Sequence, residues 1–240
     1  MRLSVATWNM DNWKRNQSQR DATWNFLLNT LAPNIALLQE CVPNAECRGR
    51  GNFLYREIGG SRKWGSAIIT RGLPIQEVAF NNSYPGAVVA ADVTLPNGSL
   101  LTVISLYGVI DEDGYATTTL HRILSDLTPL LNGHRGRSCF LIGGDYNVST
   151  QWDDYYGHRY PSHRILFERL EDFNLVNCTA KFHSGHLQTI RHPKSSIPWQ
   201  NDYVHASRKL AERLVSCDVI ENPEIREISD HNPVMAVIDI

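Results

Sequence analysis

Short segments in which apolar and polar residues alternate predict β-strands, and segments with helical spacing separate some of them. Residues 3–9 alternate as a strand does, and the apolar side chains of residues 24–31 follow helical spacing until Pro33 ends the run. Residues 35–38 have the pattern of a short buried strand. Further strands are predicted at residues 66–70, 75–80, 87–94 and 100–107. The turn Pro96-Asn97-Gly98 joins the last two, so this block predicts an antiparallel meander.

The second half of the chain continues the alternation of helices and strands. Helical spacing over residues 120–131 leads to an apolar strand at 139–142, and another helix is predicted around residues 165–170. The final strands are predicted around residues 201–206 and at 234–240. Several of these strands are too apolar to have one face in water. We therefore expect an α+β architecture of four layers, with two stacked sheets covered by helices.

Length and composition are those of one globular domain spanning residues 1–240, since 42% of the residues are hydrophobic and 20% are charged. No apolar run approaches the roughly 20 residues that cross a bilayer, and the first residues enter a strand pattern without a signal-peptide core. We expect a cytoplasmic protein that does not contact a membrane. The five cysteines are scattered without a C-x-x-C pair, which argues against a zinc or redox site.

The charge is unevenly distributed, although the formal net charge is only −2. Residues 48–71 contain six basic side chains and one acid, and residues 173–201 contain no acid but three basic residues and three histidines. Two basic stretches in a slightly acidic chain suit an anionic substrate bound beside acidic catalytic groups. The alternative is that these arginines and lysines are solvated.

Polar residues stand at or just past the ends of the predicted strands. They are Asn9, Glu40, Tyr107, Asp145, Asn147, Asp202, Asp230 and His231. Each one alone has a structural explanation as a turn former, a surface acid or a core residue. Their recurrence at one strand end after another predicts a site, because rigid strands hold the polar groups while loops admit a substrate.

Six short motifs occur in order along the chain. They are Thr7-Trp8-Asn9, Leu38-Gln39-Glu40, Gly65-Ser66-Ala67, Gly144-Asp145-Tyr146-Asn147, Asn201-Asp202-Tyr203-Val204 and Ser229-Asp230-His231-Asn232-Pro233-Val234. Together they resemble the endonuclease/exonuclease/phosphatase superfamily, which has the deoxyribonuclease I-like fold. The resemblance covers residues 7–235. It implies a four-layer α/β/β/α sandwich, in which two mostly antiparallel sheets pack face to face with helices outside.

The resemblance also implies a divalent metal site. Glu40 would be the main ligand of Mg²⁺, with Mn²⁺ as a substitute ion, and Asn9 and Asp230 would complete or order the shell. Mg²⁺ takes oxygen ligands octahedrally, keeps several waters and usually needs only one or two protein carboxylates. Asp11 stands where many members of the superfamily have asparagine, and its carboxylate either joins this shell or stabilises the turn.

The same resemblance assigns catalytic roles. Asp145 would be the general base that activates a water, and Asn147 would hold that water or a phosphate oxygen. His231, oriented by Asp202, would hydrogen-bond a non-bridging phosphate oxygen in the transition state. Tyr107 would contact the phosphate or assist the leaving oxygen.

Departures from the pattern argue against a nuclease specialised for abasic sites. Ile110 stands where those members of the superfamily usually have an amide, and Ile190 where they often have an aromatic residue. Trp199 resembles the aromatic residue that some of them place against the sugar, or it packs in the core.

The segment at residues 152–160 follows the Asp145 turn and is a candidate substrate loop. Its Trp152, Tyr155 and Tyr156 either stack on bases, at about 1–3 kcal/mol per base, or cover the core under a long loop. Arg191, in the second basic stretch, is a further candidate substrate contact.

These features predict a Mg²⁺-dependent phosphodiesterase that hydrolyses nucleic acid, as an endonuclease or exonuclease, by in-line attack of an Asp-activated water. DNA is favoured over RNA, and no obligate protein partner is expected. The alternative is a phosphatase or phosphodiesterase that acts on an inositol phosphate, a phospholipid head group or a nucleotide-like small molecule. A non-catalytic binding module of the same fold is a more remote alternative.

Overall fold

Two six-stranded sheets form the centre of the computed structural model, which describes residues 2–49, 52–112, 114–133, 139–156 and 162–240. The strands of the first sheet are β1 (Arg2–Asn9), β2 (Ile35–Cys41), β3 (Phe53–Gly59), β4 (Arg62–Thr70), β11 (Leu214–Val219) and β12 (Val234–Asp239). Their order in space is β11-β12-β1-β2-β4-β3. β1 and β2 are parallel, and the other neighbours are antiparallel.

The second sheet repeats this arrangement, with one parallel pair among antiparallel neighbours. Its strands are β5 (Ile75–Glu77), β6 (Val88–Thr94), β7 (Leu100–Tyr107), β8 (Phe140–Asp145), β9 (Leu175–Asn177) and β10 (Asp202–Ser207). Their order is β5-β6-β7-β8-β10-β9, and β7 and β8 are the parallel pair. β5, β6 and β7 form an antiparallel meander. The predicted meander also included residues 66–70, which instead lie in β4 of the first sheet.

The helices lie outside the sheets. They are α1 (Gln17–Asn25), α2 (Ala45–Arg48), α3 (Thr117–Gly133), α4 (Thr150–Tyr155), α5 (Ser162–Asp172), α6 (Arg208–Ala211) and α7 (Pro223–Ile228). Asn16 and Gln19 form a capping box at the start of α1, which continues as a π-helical segment over Phe26–Leu31. No helix among the described residues is long and apolar enough to cross a membrane.

Three apolar clusters join the layers. The central cluster contains inward-facing residues of both sheets, such as Val5 and Leu37 from the first and Val103 from the second. A second cluster packs α3 and α5 on the outer face of the second sheet, and a third packs α1 and α7 on the outer face of the first. The four layers are therefore helices, sheet, sheet and helices, which confirms the predicted fold class.

The element bounds differ from the predictions mainly at the sheet edges. Strands β3, β9 and β11 were not predicted, and each lies at an edge of its sheet. Their burial patterns are mixed because edge strands are partly solvated, so they lack a clear apolar signal. β5 ends at Glu77, so the strand predicted over residues 75–80 is three residues too long. The first helix begins at Gln17, seven residues before its predicted apolar run.

Candidate active site

Strand ends from both sheets meet at one rim and carry most of the residues predicted for the site. In the first sheet β1 ends at Asn9, and the parallel strand β2 carries Glu40 beside it. In the second sheet β7 ends at Tyr107 and the parallel strand β8 at Asp145, directly opposite each other. Asp202 begins β10 and pairs with Asp145. Parallel strands bring their carboxyl ends to the same edge, which is why these residues converge.

His231 lies between two buried aspartates at this rim. It precedes β12, whose first residue Val234 pairs with Thr7 near the end of β1. Its Nδ1 donates a 2.8 Å hydrogen bond to Asp202 Oδ2, and its Nε2 lies 3.9 Å from Asp145 Oδ2. All three side chains are at least 95% buried. The imidazole is therefore held in one orientation.

The electrostatics of this group fix its charge state. Burial opposes a charge on His231, but Asp202 and Asp145 outweigh it and raise the pKa of His231 to about 10. Burial and Asp202 raise the pKa of Asp145 to about 7, while His231 counters them. At neutral pH a carboxyl group that can gain or lose a proton thus lies beside a charged imidazolium.

Neighbouring amides hold the Asp145 carboxylate. Asn9 Nδ2 donates a 2.8 Å hydrogen bond to Oδ2, and the backbone N–H of Asn147 donates a 2.9 Å bond to Oδ1. Asn147 has a left-handed backbone with φ of 52°, which asparagine tolerates better than most residues, and its Nδ2 donates to the Gly108 carbonyl. The turn after β8 thus positions both Asp145 and Asn147.

Glu40 occupies an irregular position in β2. The pairing of β2 with β4 shifts register between Leu38 and Cys41, and Glu40 has a positive φ of 48°. Such bulges redirect a side chain, and a non-glycine residue in this region costs about 1–3 kcal/mol. The carboxylate is 8% exposed and accepts a hydrogen bond from the Trp13 indole. Burial raises the pKa of Glu40, although His231 and a hydrogen bond from Asn9 oppose the rise.

Tyr107 is buried beside Glu40 and Asp145. Burial and these two carboxyl groups hold the pKa of Tyr107 well above its usual range. Its ring also packs edge-on against Trp64, with 5.1 Å between the centroids. The hydroxyl therefore keeps its proton across the physiological range and can act as a hydrogen-bond donor.

Asp230 and Asp11 share a lysine at the outer side of the rim. Lys14 Nζ lies 3.2 Å from Asp230 Oδ2 and 3.1 Å from Asp11 Oδ1, and Arg15 lies 2.8 Å from Asp11 Oδ2. Burial opposes the charge on Asp230, but His231 and Lys14 lower its pKa. Asp11 is buried, and burial and Asp230 raise its pKa although Lys14 and Arg15 oppose the rise.

Two groups of side chains are candidate metal ligands. Asp145, Asp202 and His231 present ligand atoms within 4.8 Å of one another. In the metal-free site Asp202 and Asp145 raise the pKa of His231, so a metal that used this imidazole as a ligand would have to displace its proton. The residues predicted for the metal shell, Glu40, Asn9 and Asp230, offer oxygen donors, which suit a hard divalent cation. Of these, Glu40 and Asn9 share a side-chain hydrogen bond.

The residues predicted to contact substrate lie in two places. Trp152, Tyr155, Tyr156 and Trp199 line a cleft of about 580 Å³ next to Asn147. Arg191 supports the turn that carries His231, since its guanidinium donates to the Ser229 carbonyl and to Asn232 Oδ1. Residues 157–160 of the predicted substrate loop lie outside the described residues. A substrate contact for any of these side chains stays a prediction.

Sequence reasoning missed several residues of the rim. Trp13 and Lys14 contact Glu40 and Asp230, and Trp13 also stacks on Trp64, at 6.5 Å between ring centroids. Thr189 Oγ1 accepts the backbone N–H of Asp202. A signal existed for Trp13 and Lys14, because they follow the Asn9 motif within five residues. Nothing in the sequence pattern marked Thr189.

Comparisons with solved structures show where this architecture recurs. NExo from Neisseria meningitidis is 20% identical to this chain in two solved structures. One names it a 3'-5' exonuclease and has a TM-score of 0.74; the other, bound to a product DNA hairpin, names it a 3' phosphatase and has a TM-score of 0.76. Both alignments cover 99% of this chain and 100% of NExo. An AP endonuclease from Leishmania major is 18% identical, with a TM-score of 0.71 over 100% of this chain and 88% of that one. An AP endonuclease from Archaeoglobus fulgidus is 20% identical, with a TM-score of 0.71, and the alignment covers 99% of this chain and 100% of that one.

These likenesses concern the fold, because the identities do not exceed 20%. No family model matches the chain, and no curated protein matches it by sequence. The structures nevertheless align along essentially its whole length. The chain has the deoxyribonuclease I-like fold, as its six motifs predicted.

Proposed function

We propose that this chain of deoxyribonuclease I-like fold is a metal-dependent nuclease that hydrolyses phosphodiester bonds in nucleic acid, DNA above all. The observation that supports this most strongly is the buried His231 imidazolium between Asp202 and Asp145. It puts a fixed positive charge next to a carboxyl group that exchanges its proton near neutral pH. That combination suits phosphoryl transfer to water.

Asp145 is the general base in this proposal. It takes a proton from a water molecule whose oxygen forms a bond to phosphorus, while the bond from phosphorus to the leaving oxygen breaks. Asn9 and Asn147 fix the carboxylate for this step. A general base of this kind contributes on the order of 10²–10⁴ in rate.

His231 and Tyr107 stabilise charge on the phosphate. The imidazolium donates a hydrogen bond to a non-bridging oxygen, and Asp202 keeps the ring oriented through Nδ1. The Tyr107 hydroxyl stays protonated and donates to the leaving oxygen. Neither residue forms a bond to phosphorus, so no covalent enzyme intermediate arises.

The oxygen donors of the rim fit Mg²⁺, with Mn²⁺ as a substitute. Glu40 would be the principal ligand, with Asn9 and Asp230 completing the site. Asp230 Oδ1 is buried without a hydrogen-bond partner among the described residues, as suits an oxygen that binds a cation. When bound, the ion neutralises negative charge on the phosphoryl oxygens.

DNA is favoured as substrate for two reasons. NExo was captured with a product DNA hairpin, and two of the other similar structures are AP endonucleases. The basic stretches at residues 48–71 and 173–201 also suit a polyanion. A 3'-phosphate on DNA is a second candidate substrate, because NExo is also named as a 3' phosphatase.

A substrate panel tests the proposal. Labelled duplex DNA, single-stranded DNA, RNA, abasic DNA, DNA with a 3'-phosphate and inositol phosphates are incubated with Mg²⁺, Mn²⁺ or chelator. We expect hydrolysis of DNA that chelator abolishes and added Mg²⁺ restores. Identically purified His231→Ala, checked by circular dichroism, should have no measurable turnover. Phosphate release from a small molecule without hydrolysis of any nucleic acid would overturn the proposal.

A further inference from the structure

A cleft of about 580 Å³ opens beside the catalytic rim and has aromatic walls. Asn147 and Asn201 are among its lining residues; Asn147 lies two residues after Asp145, and Asn201 immediately precedes Asp202. The aromatic rings that face it are Tyr115, Trp152, Tyr155, Tyr156 and Trp199. The cleft therefore begins where a nucleotide attached to the reacting phosphate would lie.

The rings are held in place from within the protein. Trp152 is the centre of the group, with its ring centroid 4.2 Å from Tyr156 and 6.0 Å from Trp199. Gln151 Oε1 accepts the backbone N–H of Gln200 at 2.8 Å, which ties α4 to the segment that carries Trp199. The cleft is thus preorganised, which lowers the entropic cost of binding.

Three of the five rings are largely exposed, and Tyr115, at 48%, is the least exposed of the three. Tyr155 is 64% exposed and Tyr156 is 56% exposed, whereas Trp199 is only 8% exposed. A ring whose role is to close the core buries its own faces, as Trp199 does. Tyr155 and Tyr156 instead offer π-faces to whatever enters the cleft.

Lys194 gives the cleft one positive charge. His192 and Lys194 lie there, together with the hydroxyls of Ser195 and Ser196. No acidic side chain is among the described residues that line the cleft. An aromatic interior with a cationic rim matches a nucleobase joined to a phosphodiester, whereas an abasic sugar has no π-face to stack.

We propose that this cleft binds one unpaired nucleobase of the strand being cleaved, an inference that rests on the proposed nuclease function. The base stacks on Tyr155 and Tyr156, and Lys194 contacts the adjoining phosphate. The volume lies within the range of ligand pockets, about 300–1,000 Å³, and admits purines as well as pyrimidines. The protein therefore prefers a nucleotide that carries a base over an abasic one.

Binding of a minimal probe in chelator tests this without any hydrolysis. The probe is a five-nucleotide strand in which one position carries fluorescent 2-aminopurine and the others are abasic, and the matched strand is abasic throughout. Stacking on one or two rings should make the 2-aminopurine strand bind about five- to 150-fold more tightly. Its fluorescence should fall on binding.

Variants separate stacking from other effects. Tyr155→Ala/Tyr156→Ala should lose both the affinity ratio and the quenching, and Tyr155→Phe/Tyr156→Phe should keep them. Phe182→Ala, which removes a ring that is 40% exposed outside the cleft, should behave as wild type. Equal affinity for the two strands, or an unchanged ratio in the double alanine variant, would overturn the inference even if the protein cleaves DNA. Stacking by a protein that hydrolyses no nucleic acid would support base binding and contradict the nuclease proposal.

Discussion

At the scale of single residues, the site depends on a cation buried between acids. His231 has carboxyl groups on several sides: Asp202 at 2.8 Å, Asp230 at 3.7 Å and Asp145 at 3.9 Å. An isolated buried imidazolium would lose its proton, so these acids decide its charge. Because the folded state holds the proton more tightly than the unfolded chain, the stability of the protein depends on pH.

The sign of this dependence follows from the raised pKa of His231. Its value is about 10 in the folded state and 6.5 as an ordinary histidine. The stabilisation is complete below pH 6.5 and is lost as pH rises through about 10. Asp145, whose pKa rises from 3.8 to about 7 on folding, changes the stability in the same direction at lower pH. In chelator, the free energy of unfolding should fall between pH 7 and 10 by up to about 1.4 kcal/mol per pH unit.

Urea denaturation across this pH range measures the effect. His231→Gln should reduce the slope above pH 7, because the imidazole proton is gone. It should not abolish the slope, since loss of the imidazolium raises the pKa of Asp145 further. The exposed His192 provides the control, and His192→Gln should leave the slope unchanged. An equally steep slope in His231→Gln would show that another group is responsible.

The sequence predicted the residues that now surround His231, but not all of their partners. Asn9, Glu40, Asp145 and Asp202 stand at strand ends, where the periodic pattern stops and a polar residue is conspicuous. Trp13 and Lys14 are close to the Asn9 motif in sequence, but the local pattern does not reveal which side chains turn back to the rim. Their hydrogen bonds to Glu40 and Asp230 are a property of the tertiary structure.

At the scale of elements, close backbone contact holds the catalytic strands in register. β8 carries Gly143 and Gly144 immediately before Asp145. A Cβ at Gly144 would lie 1.8 Å from the Leu106 carbonyl oxygen of β7. A side chain there must push apart the parallel strands that carry Tyr107 and Asp145. The glycine is therefore needed for the geometry of the site as well as for the fold.

Gly144→Ala should destabilise the protein by about 1–3 kcal/mol or more, as overpacking of a rigid interior does. Activity of the remaining folded protein should fall as well, because Asp145 moves. Thermal unfolding and kcat at a temperature where the variant is folded measure the two effects. Gly49→Ala is the control, since a Cβ there meets its neighbours at an ordinary 3.6 Å. Wild-type stability in Gly144→Ala would contradict the packing argument.

The elements that periodicity predicted are those with a strong apolar face. The central strands β1, β2, β7 and β8 and helix α3 were all expected. The edge strands β3, β9 and β11 were not, because most of their residues are half-buried or exposed and neither face is consistently apolar. The site was predictable largely because it is built on central strands.

At the scale of the whole molecule, the fold joins distant parts of the chain at one rim. Asn9 and Asp145 are 136 residues apart and share a hydrogen bond, and the Trp8 indole donates to the His231 carbonyl across 223 residues. The net charge is only −2, so attraction for a polyanion must come from local basic surface. Lys194 at the cleft is part of that surface.

Affinity for DNA should therefore fall steeply with salt. If the protein contacts about four phosphates, its affinity for DNA should fall roughly 100-fold between 50 and 200 mM salt. Lys194→Ala should reduce the slope of log affinity against log salt by about 1. Lys209→Ala, at the opposite end of β10 on α6, should not change it. Fluorescence anisotropy in chelator gives these slopes, and a salt-independent affinity would rule out phosphate contacts as the source of binding.

The central claim is that Asp145 activates the attacking water, and single-turnover cleavage of labelled DNA in Mg²⁺ as a function of pH tests it most directly. The wild-type rate should rise with pH as Asp145 loses its proton, with a midpoint below the pKa of about 7 that the metal-free site gives, because a bound cation favours the carboxylate. In folded Asp145→Asn the rate should be on the order of 10²–10⁴ lower, without that rise. A folded Asp145→Asn protein that cleaves at a near wild-type rate, with the same pH profile, would contradict the account.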